Sequence, residues 1–270
     1  LFGRERIEIK TPEQVLAMRR AGLLTHAALE SARAAIRPGV STRELDAVAA
    51  EVIRAGGGTS NFLGYHGYPA TLCISVNHVV VHGIPGEQVL REGDVVSVDG
   101  GAVVDGWHGD SAFTAIVGEP ADPADAELVE TTRRAMWAGI AALDRRGRVG
   151  DVGAAVEDAV DGRFGIVDGY TGHGIGTAMH MAPEVLNYRV REKGPKVRPG
   201  LCLAVEPMCT RGGVETDVLA DEWTVVTSDG SRAAHWEHTV AVLEKGLWVL
   251  TAPDGGASEL GPLGVDVPQD

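Results

Sequence analysis

Five residues able to bind metal stand at positions where such side chains are costly. Asp99 lies in the mainly apolar strand segment DVVSVDGGAVV, and Asp110 opens SAFTAIV. His173 lies in TGHGIG, Glu206 closes KVRPGLCLAVE, and Glu237 opens HTVAV. A carboxylate inside an apolar strand is destabilising unless it is paired, hydrogen-bonded or bound to a cation. No lysine or arginine lies in the Asp99 or Asp110 strand to neutralise either residue. One such acid alone would be read as a hydrogen-bonded structural group; five recurring in register point to bound cations. Four carboxylates and one imidazole carry too much negative charge for a single catalytic zinc and suit two divalent ions bridged by carboxylates. Oxygen-rich ligation favours Mn, Fe(II) or Co, with Zn also compatible. Two ions roughly 3.5–4 Å apart activate a water and stabilise an oxyanion, so hydrolysis is the natural chemistry.

The elements that must carry these residues repeat along the chain. VLREGDVVSVD aligns with KVRPGLCLAVE, setting Asp99 over Glu206, and the same separation sets His66-Gly67 over His173-Gly174. Asp110 and Glu237 each open an apolar strand after a tryptophan-containing turn. Two related halves, each with two helices and antiparallel strands, are therefore expected to face each other with their acids meeting between them. Thr11-Pro12 starts a helix whose apolar spacing runs through Val15, Met18, Gly22, Thr25 and Leu29 to about Ile36. Ser41 and Glu44 form a capping box for a second helix that stops at Gly56 to Gly58. Helices recur near 123–146 and 149–160. Strands are expected at TLCISVN, DVVSVDGGAVV, SAFTAIV, LCLAVEPM, EWTVVTS, EHTVAVLE and LWVLT. The midpoint between Asp99 and Asp110 falls between Val104 and Asp105, so a two-residue turn there would set the two aspartates directly opposite one another. The fold class is α+β in one catalytic domain spanning 1–270, with 251–270 read as an irregular surface tail because it is rich in Gly, Pro and Asp and lacks periodicity.

Composition narrows the partners. A net charge of −14 and a pI near 5.0 argue against nucleic acid and acidic membrane surfaces, which need a concentrated basic face. The 3 cysteines, Cys73, Cys202 and Cys209, form no CxxC pair and leave an odd count, which suits reduced thiols and a cytoplasmic protein. No apolar run reaches membrane-span length, and LFGRERIEIK lacks the apolar core of a signal peptide. Because the sequence starts at Leu1 rather than Met, residues preceding it are to be expected.

In this order and spacing, Asp99, Asp110, His173, Glu206 and Glu237 resemble the five ligands of the pita-bread metallopeptidases. NFLGYHGYPATLCISVNHVVVHGIP, WHGDSAFT, TGHGIGTAMH, AVEPM and WEHTV are similar to the type I methionine aminopeptidases within that superfamily, over nearly the whole chain. The resemblance implies a pita-bread fold of two pseudo-symmetric halves around a dinuclear site. It implies that Asp99 chelates one ion, that His173 and Glu206 hold the other, and that Asp110 and Glu237 bridge both. Glu206 would accept the proton of the attacking water, with His82 near the scissile nitrogen and His180 at the substrate carbonyl. Tyr65, Tyr68, Cys73 and Trp223 would line the pocket for the methionine side chain. The chain departs from common family forms at Phe62, Met179 and Met181, which bears on pocket shape. Implied substrates are N-terminal Met peptides and nascent chains with a small second residue, met at the ribosome or soon after by a monomeric enzyme.

Other residues have plainer readings. His66 is expected to be structural near the pocket; His26, His78, His108, His235 and His238 are expected to be structural as well. His238 neighbours Glu237, so it faces the other side of its strand and should miss the metals. TGHGIG is not a dinucleotide fingerprint, and Cys73 has no activating base beside it in sequence. Proline-specific relatives would keep the same ligands, but they usually carry a large N-terminal domain. A metal-free peptide binder would have no reason to keep buried unpaired acids. The short separation of His173 and Glu206 leaves no room for the inserted helical subdomain of type II enzymes.

Overall fold

Helix α1 (Pro12–Ala35) begins where Thr11 and Gln14 cap each other's backbone N–H groups, and α2 (Thr42–Ala55) begins with the reciprocal Ser41–Glu44 pair. In this computed structural model, which describes residues 7–268, the sequence then enters β1 (Thr59–Ser60), β2 (Leu72–Val76), β3 (Val79–Val81), β4 (Val95–Val104) and β5 (Trp107–Ile116). A second round follows, with α3 (Pro123–Ala142), α4 (Gly150–Val160), β6 (Gly165–Ile166), β7 (Gly172–Gly174), β8 (Met181–Val185) and β9 (Cys202–Val205). It continues through β10 (Met208–Thr210), β11 (Thr216–Val218), β12 (Val225–Thr227), β13 (Ala233–His235), β14 (Glu237–Val242), β15 (Leu247–Val249) and α5 (Ala257–Leu260).

The main sheet runs β1-β4-β5-β14-β9-β7-β8, with β2 also on β4 and β15 also on β14. Two three-stranded sheets, β13-β10-β6 and β11-β12-β3, stand beside it. The central order β4-β5-β14-β9 is palindromic in the repeat, each half giving an outer and an inner strand, which is the expected pair of halves and the pita-bread fold. Alternation along the strands divides the sheet into two faces. Val96, Val98 and Phe113 pack with α1 and α2 in one core, while Leu203, Val205, Val240 and Val242 pack with α3 and α4 in another. Trp236 packs against both cores. The acids project from the opposite face.

At the joint of the halves the ladder between β5 and β14 pairs two residues, Ala112 with Glu237 and Ser111 with His238. Beyond it the Thr239 hydroxyl takes over, accepting from the Asp110 N–H at 3.1 Å and donating to the Asp110 carbonyl at 2.8 Å. Helix α1 crosses β5 so closely that a Cβ on Gly109 would lie 2.7 Å from the backbone nitrogen of Gly22.

Two expectations are corrected. The β4–β5 turn is centred on Asp105-Gly106, both with positive φ (50° and 79°), as a type I′ turn requires. The register therefore sets Asp99 opposite Ala112 and Asp110 opposite Gly101. The aspartates are diagonal neighbours on one face, because Asp-Gly adopts the left-handed pair that Val-Asp would resist. The stretch from 251 is also more ordered than its composition suggested. Leu260 and Val265 are buried in the second core, and Arg19 of α1 donates to the carbonyls of Val249, Leu250, Ala252 and Pro253.

Candidate active site

The pairing register alone gathers the acids. Cys73 pairs with Asp99, Asp99 with Ala112, and Ala112 with Glu237, forming one row across β2, β4, β5 and β14. Directly paired residues share a face. Asp110 lies two residues from Ala112 and so shares it too. On the other side, His173 pairs with Ala204 and Ala204 with Thr239, which puts His173, Glu206 and Glu237 on that same face. Glu206 directly follows β9, where Pro207 ends the strand before β10.

Nitrogen and oxygen ligand atoms of Asp110, His173 and Glu237 all lie within 4.8 Å of one another, and His173 Nε2 is 3.3 Å from Glu206 Oε1. The His173 Nδ1–H donates to the Gly174 carbonyl at 2.9 Å, which turns Nε2 toward the acids. Asp99 Oδ1, Asp110 Oδ1 and Glu237 Oε1 are buried with no hydrogen-bond partner among the described residues. Burial, and then the charge of Asp110, push Asp99 and Glu237 well above the usual carboxylate range. Burial raises Asp110 to about 7, with the His173 imidazolium opposing part of the rise. Burial would lower His173, but the Glu206 carboxylate and the Asp110 charge outweigh it and raise the imidazole. Clustered, buried and unpartnered oxygens of this kind form a donor set that divalent cations fit.

Asn61 and His108 extend the site from below. Asn61 fills the space opposite Asp110, where a Cβ on Gly101 would fall 2.1 Å from Asn61 Nδ2. Asn61 donates to the Gly109 carbonyl at 3.0 Å, and its own Oδ1 meets His108 Nδ1 at 2.9 Å.

A cavity of about 160 Å³ opens onto the acids, and its walls include Phe62, Tyr65, Tyr68, Cys73, Met179 and Trp223. His82 and His180 also border it. The Tyr65 hydroxyl lies 2.8 Å from His180 Nδ1, and the His180 ring packs edge-on against His173 with centroids 4.4 Å apart. Burial, followed by the neighbouring His173 charge, lowers His180 to about 4. His82 has a left-handed backbone (φ 59°), and its ring meets Tyr170 and Trp223 edge-on. Burial keeps its pKa below the ordinary value. The Cys73 thiol is pushed up by burial and by the adjacent Asp99, so it is an inert wall group.

Every sequence-predicted residue of the site thus borders one cavity. Phe62 and Met179, two of the departures in sequence, lie in its wall, whereas Met181, on β8, is not part of it. His238 faces the opposite side, against Trp137 at 5.0 Å and Thr251 Oγ1 at 2.8 Å. Sequence reasoning passed over Asn61 and read His235 as structural only. His235 is buried with Nε2 3.8 Å from Glu206 Oε2. The alternation that turns His238 away from the acids turns His235, two residues before Glu237, toward them, and that signal was available. Asn61 had no such signal, because it reaches the site from a loop.

Residues 16–244 match the profile of metallopeptidase family M24, and the chain belongs to that family. Within it, the chain is 51% identical over 259 residues to methionine aminopeptidase 1 of Mycobacterium tuberculosis, covering 93% of this chain and 97% of that one. The crystal structure of a methionine aminopeptidase from Thermotoga maritima superposes with a TM-score of 0.88 at 40% identity, covering 91% of this chain and 99% of that chain. The methionine aminopeptidases are therefore its branch of the family. A prolidase from Pyrococcus furiosus shares the fold at a TM-score of 0.71 and 20% identity, but this chain covers only 65% of it.

Proposed function

We propose that this chain is a methionyl aminopeptidase that removes the N-terminal methionine from peptides and nascent proteins whose second residue is small. The observation that carries the proposal is the four acids of one sheet face meeting His173 beside a cavity walled by aromatic and sulfur-bearing side chains. Asp99 would hold one divalent ion, His173 and Glu206 the other, and Asp110 and Glu237 both; Mn, Fe(II), Co and Zn all suit these donors. Such ions supply positive charge that polarises a carbonyl and lowers the pKa of a water toward ~7.

The remaining work falls to side chains. Glu206 accepts the proton of the attacking water and passes it toward the leaving amine. His180 is neutral at pH 7. With Nδ1 accepting from the Tyr65 hydroxyl, its Nε2–H donates to the substrate carbonyl as negative charge grows there. His82 meets the scissile nitrogen. Phe62, Tyr65, Tyr68, Cys73, Met179 and Trp223 enclose the thioether, for which aromatic and polarisable walls suit best. A shallow site beyond the scissile bond would exclude large second residues. One catalytic domain, working as a cytoplasmic monomer on chains leaving the ribosome, completes this reading; no helix among the described residues is long and apolar enough to cross a membrane.

The test is to treat purified protein with chelator, add back Mn, Co, Fe(II) or Zn, and follow amino acids released from Met-Ala-Ser and from proline-containing peptides. Metal-dependent release of methionine alone, lost in His173→Ala, is the expected result. Proline-specific cleavage would make the chain a prolidase-like enzyme, and metal-independent silence would make it a peptide binder.

A further inference from the structure

Glu206 has two imidazoles facing it, and the function proposed above uses only one. His173 Nε2 approaches Oε1 at 3.3 Å, while His235 Nε2 stands 3.8 Å from Oε2. His235 has a relative exposure of 1%, and its Nε2 has no hydrogen-bond partner among the described residues. A buried ring nitrogen left this way keeps its desolvation penalty uncompensated, so closing a gap of under one ångström to a carboxylate oxygen is downhill. The His235 backbone cannot drift to relieve it. The His235 N–H donates to Thr114 Oγ1 at 2.9 Å, its carbonyl accepts from the Thr114 hydroxyl at 2.7 Å, and Thr114 is bonded to Ser97 at 2.8 Å across β4 and β5. His235 also pairs with Met208, two residues after Glu206, in the register of β10 and β13. The first half of the sheet therefore holds a histidine at a fixed height over the acid of the second half, at the point where Pro207 has taken Glu206 off its ladder.

The geometry points to His235 as a positioning residue for Glu206: its Nε2–H donates to Oε2, fixing the rotamer in which Oε1 lies with His173 and the carboxylate remains a proton acceptor. This rests on Glu206 being the acceptor in the reaction proposed above. A neutral imidazole has one N–H and one lone pair, so only the Nε2–H tautomer does this work. A glutamine side chain can supply the same N–H from a similar reach; a leucine fills the volume without it. Partners that orient a ligand or base by hydrogen bonding typically change metal affinity or activity by about 10–100-fold.

The experiment compares wild type, His235→Leu and His235→Gln in three readouts. These are steady-state kinetics on Met-Ala-Ser at saturating Mn, calorimetric Mn titration of chelator-treated protein, and the histidine ring signals of ¹⁵N-labelled protein. For His235→Leu, kcat should fall about 10–100-fold with KM within about twofold, and Mn should bind more weakly; His235→Gln should recover both to within about threefold. In wild type, the His235 Nε2 should carry the proton, with a signal that moves in Glu206→Gln. Unchanged kcat in His235→Leu, or equal losses in both variants, would overturn the assignment. Should His235→Leu fail to fold, a His235 ring protonated on Nδ1 alone would overturn it just as well. Wild type that releases no methionine would count against the proposed function, whereas Mn affinity and ring protonation test His235 independently.

Discussion

In the first half of the sheet, Asp99 and Asp110 ride on two ten-residue strands closed by a two-residue turn. In the second half, Glu206 follows a four-residue strand and Glu237 opens a six-residue one. The first pair is located by an unbroken ladder, and short aspartate side chains suffice. Glu206 has left its ladder at Pro207 and is located by its surroundings: Asn187 donates to its carbonyl at 3.2 Å, and the imidazoles of His173 and His235 flank its carboxylate. A longer side chain on a backbone off its ladder is held by neighbouring side chains rather than by strand pairing. The lesson is a division of labour, with rigidity in the continuous hairpin and proton chemistry where the strand has been interrupted.

That division can be broken from either side. Glu206→Gln should lower kcat by about 10²–10⁴, the usual reach of a general base, while leaving the melting temperature nearly unchanged. A large loss of stability instead would show that Glu206 is structural and would erase the contrast. Gly109→Ala should do the reverse. Its new Cβ would press on the backbone of Gly22 at 2.7 Å, and such overpacking costs about 1–3 kcal/mol, read as a lower urea midpoint at an unchanged m-value. The smallest effect concerns the far side of the sheet. Burial lowers His238 to about 3 from its ordinary 6.5. Between these values the unfolded chain binds the extra proton, so His238 contributes stability above about pH 6.5 that is lost as pH falls toward 3. The stability gap between wild type and His238→Asn should therefore narrow across that window in urea melts; a gap constant with pH would mean that His238 has the same pKa folded and unfolded.

Much of this was legible before any coordinates. The Thr11-Pro12 start and the capping box at Ser41 set two helix starts correctly, because caps are local chemistry. The repeat placed Asp99 with Glu206 and Asp110 with Glu237, because buried acids on strands are rare enough to stand out. The hairpin register was misread by two residues, since counting from the acids ignored that Asp105-Gly106 is the pair able to adopt positive φ. The face survived the error because a shift of two restores it. The terminal stretch misled for another reason: Gly, Pro and Asp deny it periodicity, yet its order comes from carbonyls that satisfy Arg19, a contact no local pattern encodes. Pocket walls such as Met179 and Phe62 converge from distant loops, and only resemblance to a family could place them.

The contact between Arg19 and Pro253 joins residues 234 positions apart. At ~5–20 residues per second, the ribosome reaches the second partner roughly ten to fifty seconds after the first. For most of that interval the guanidinium of α1 lacks the carbonyls that later enclose it, and β14, with Glu237, has not been made. An aminopeptidase whose fourth acid arrives this late is thus inert while unfinished itself.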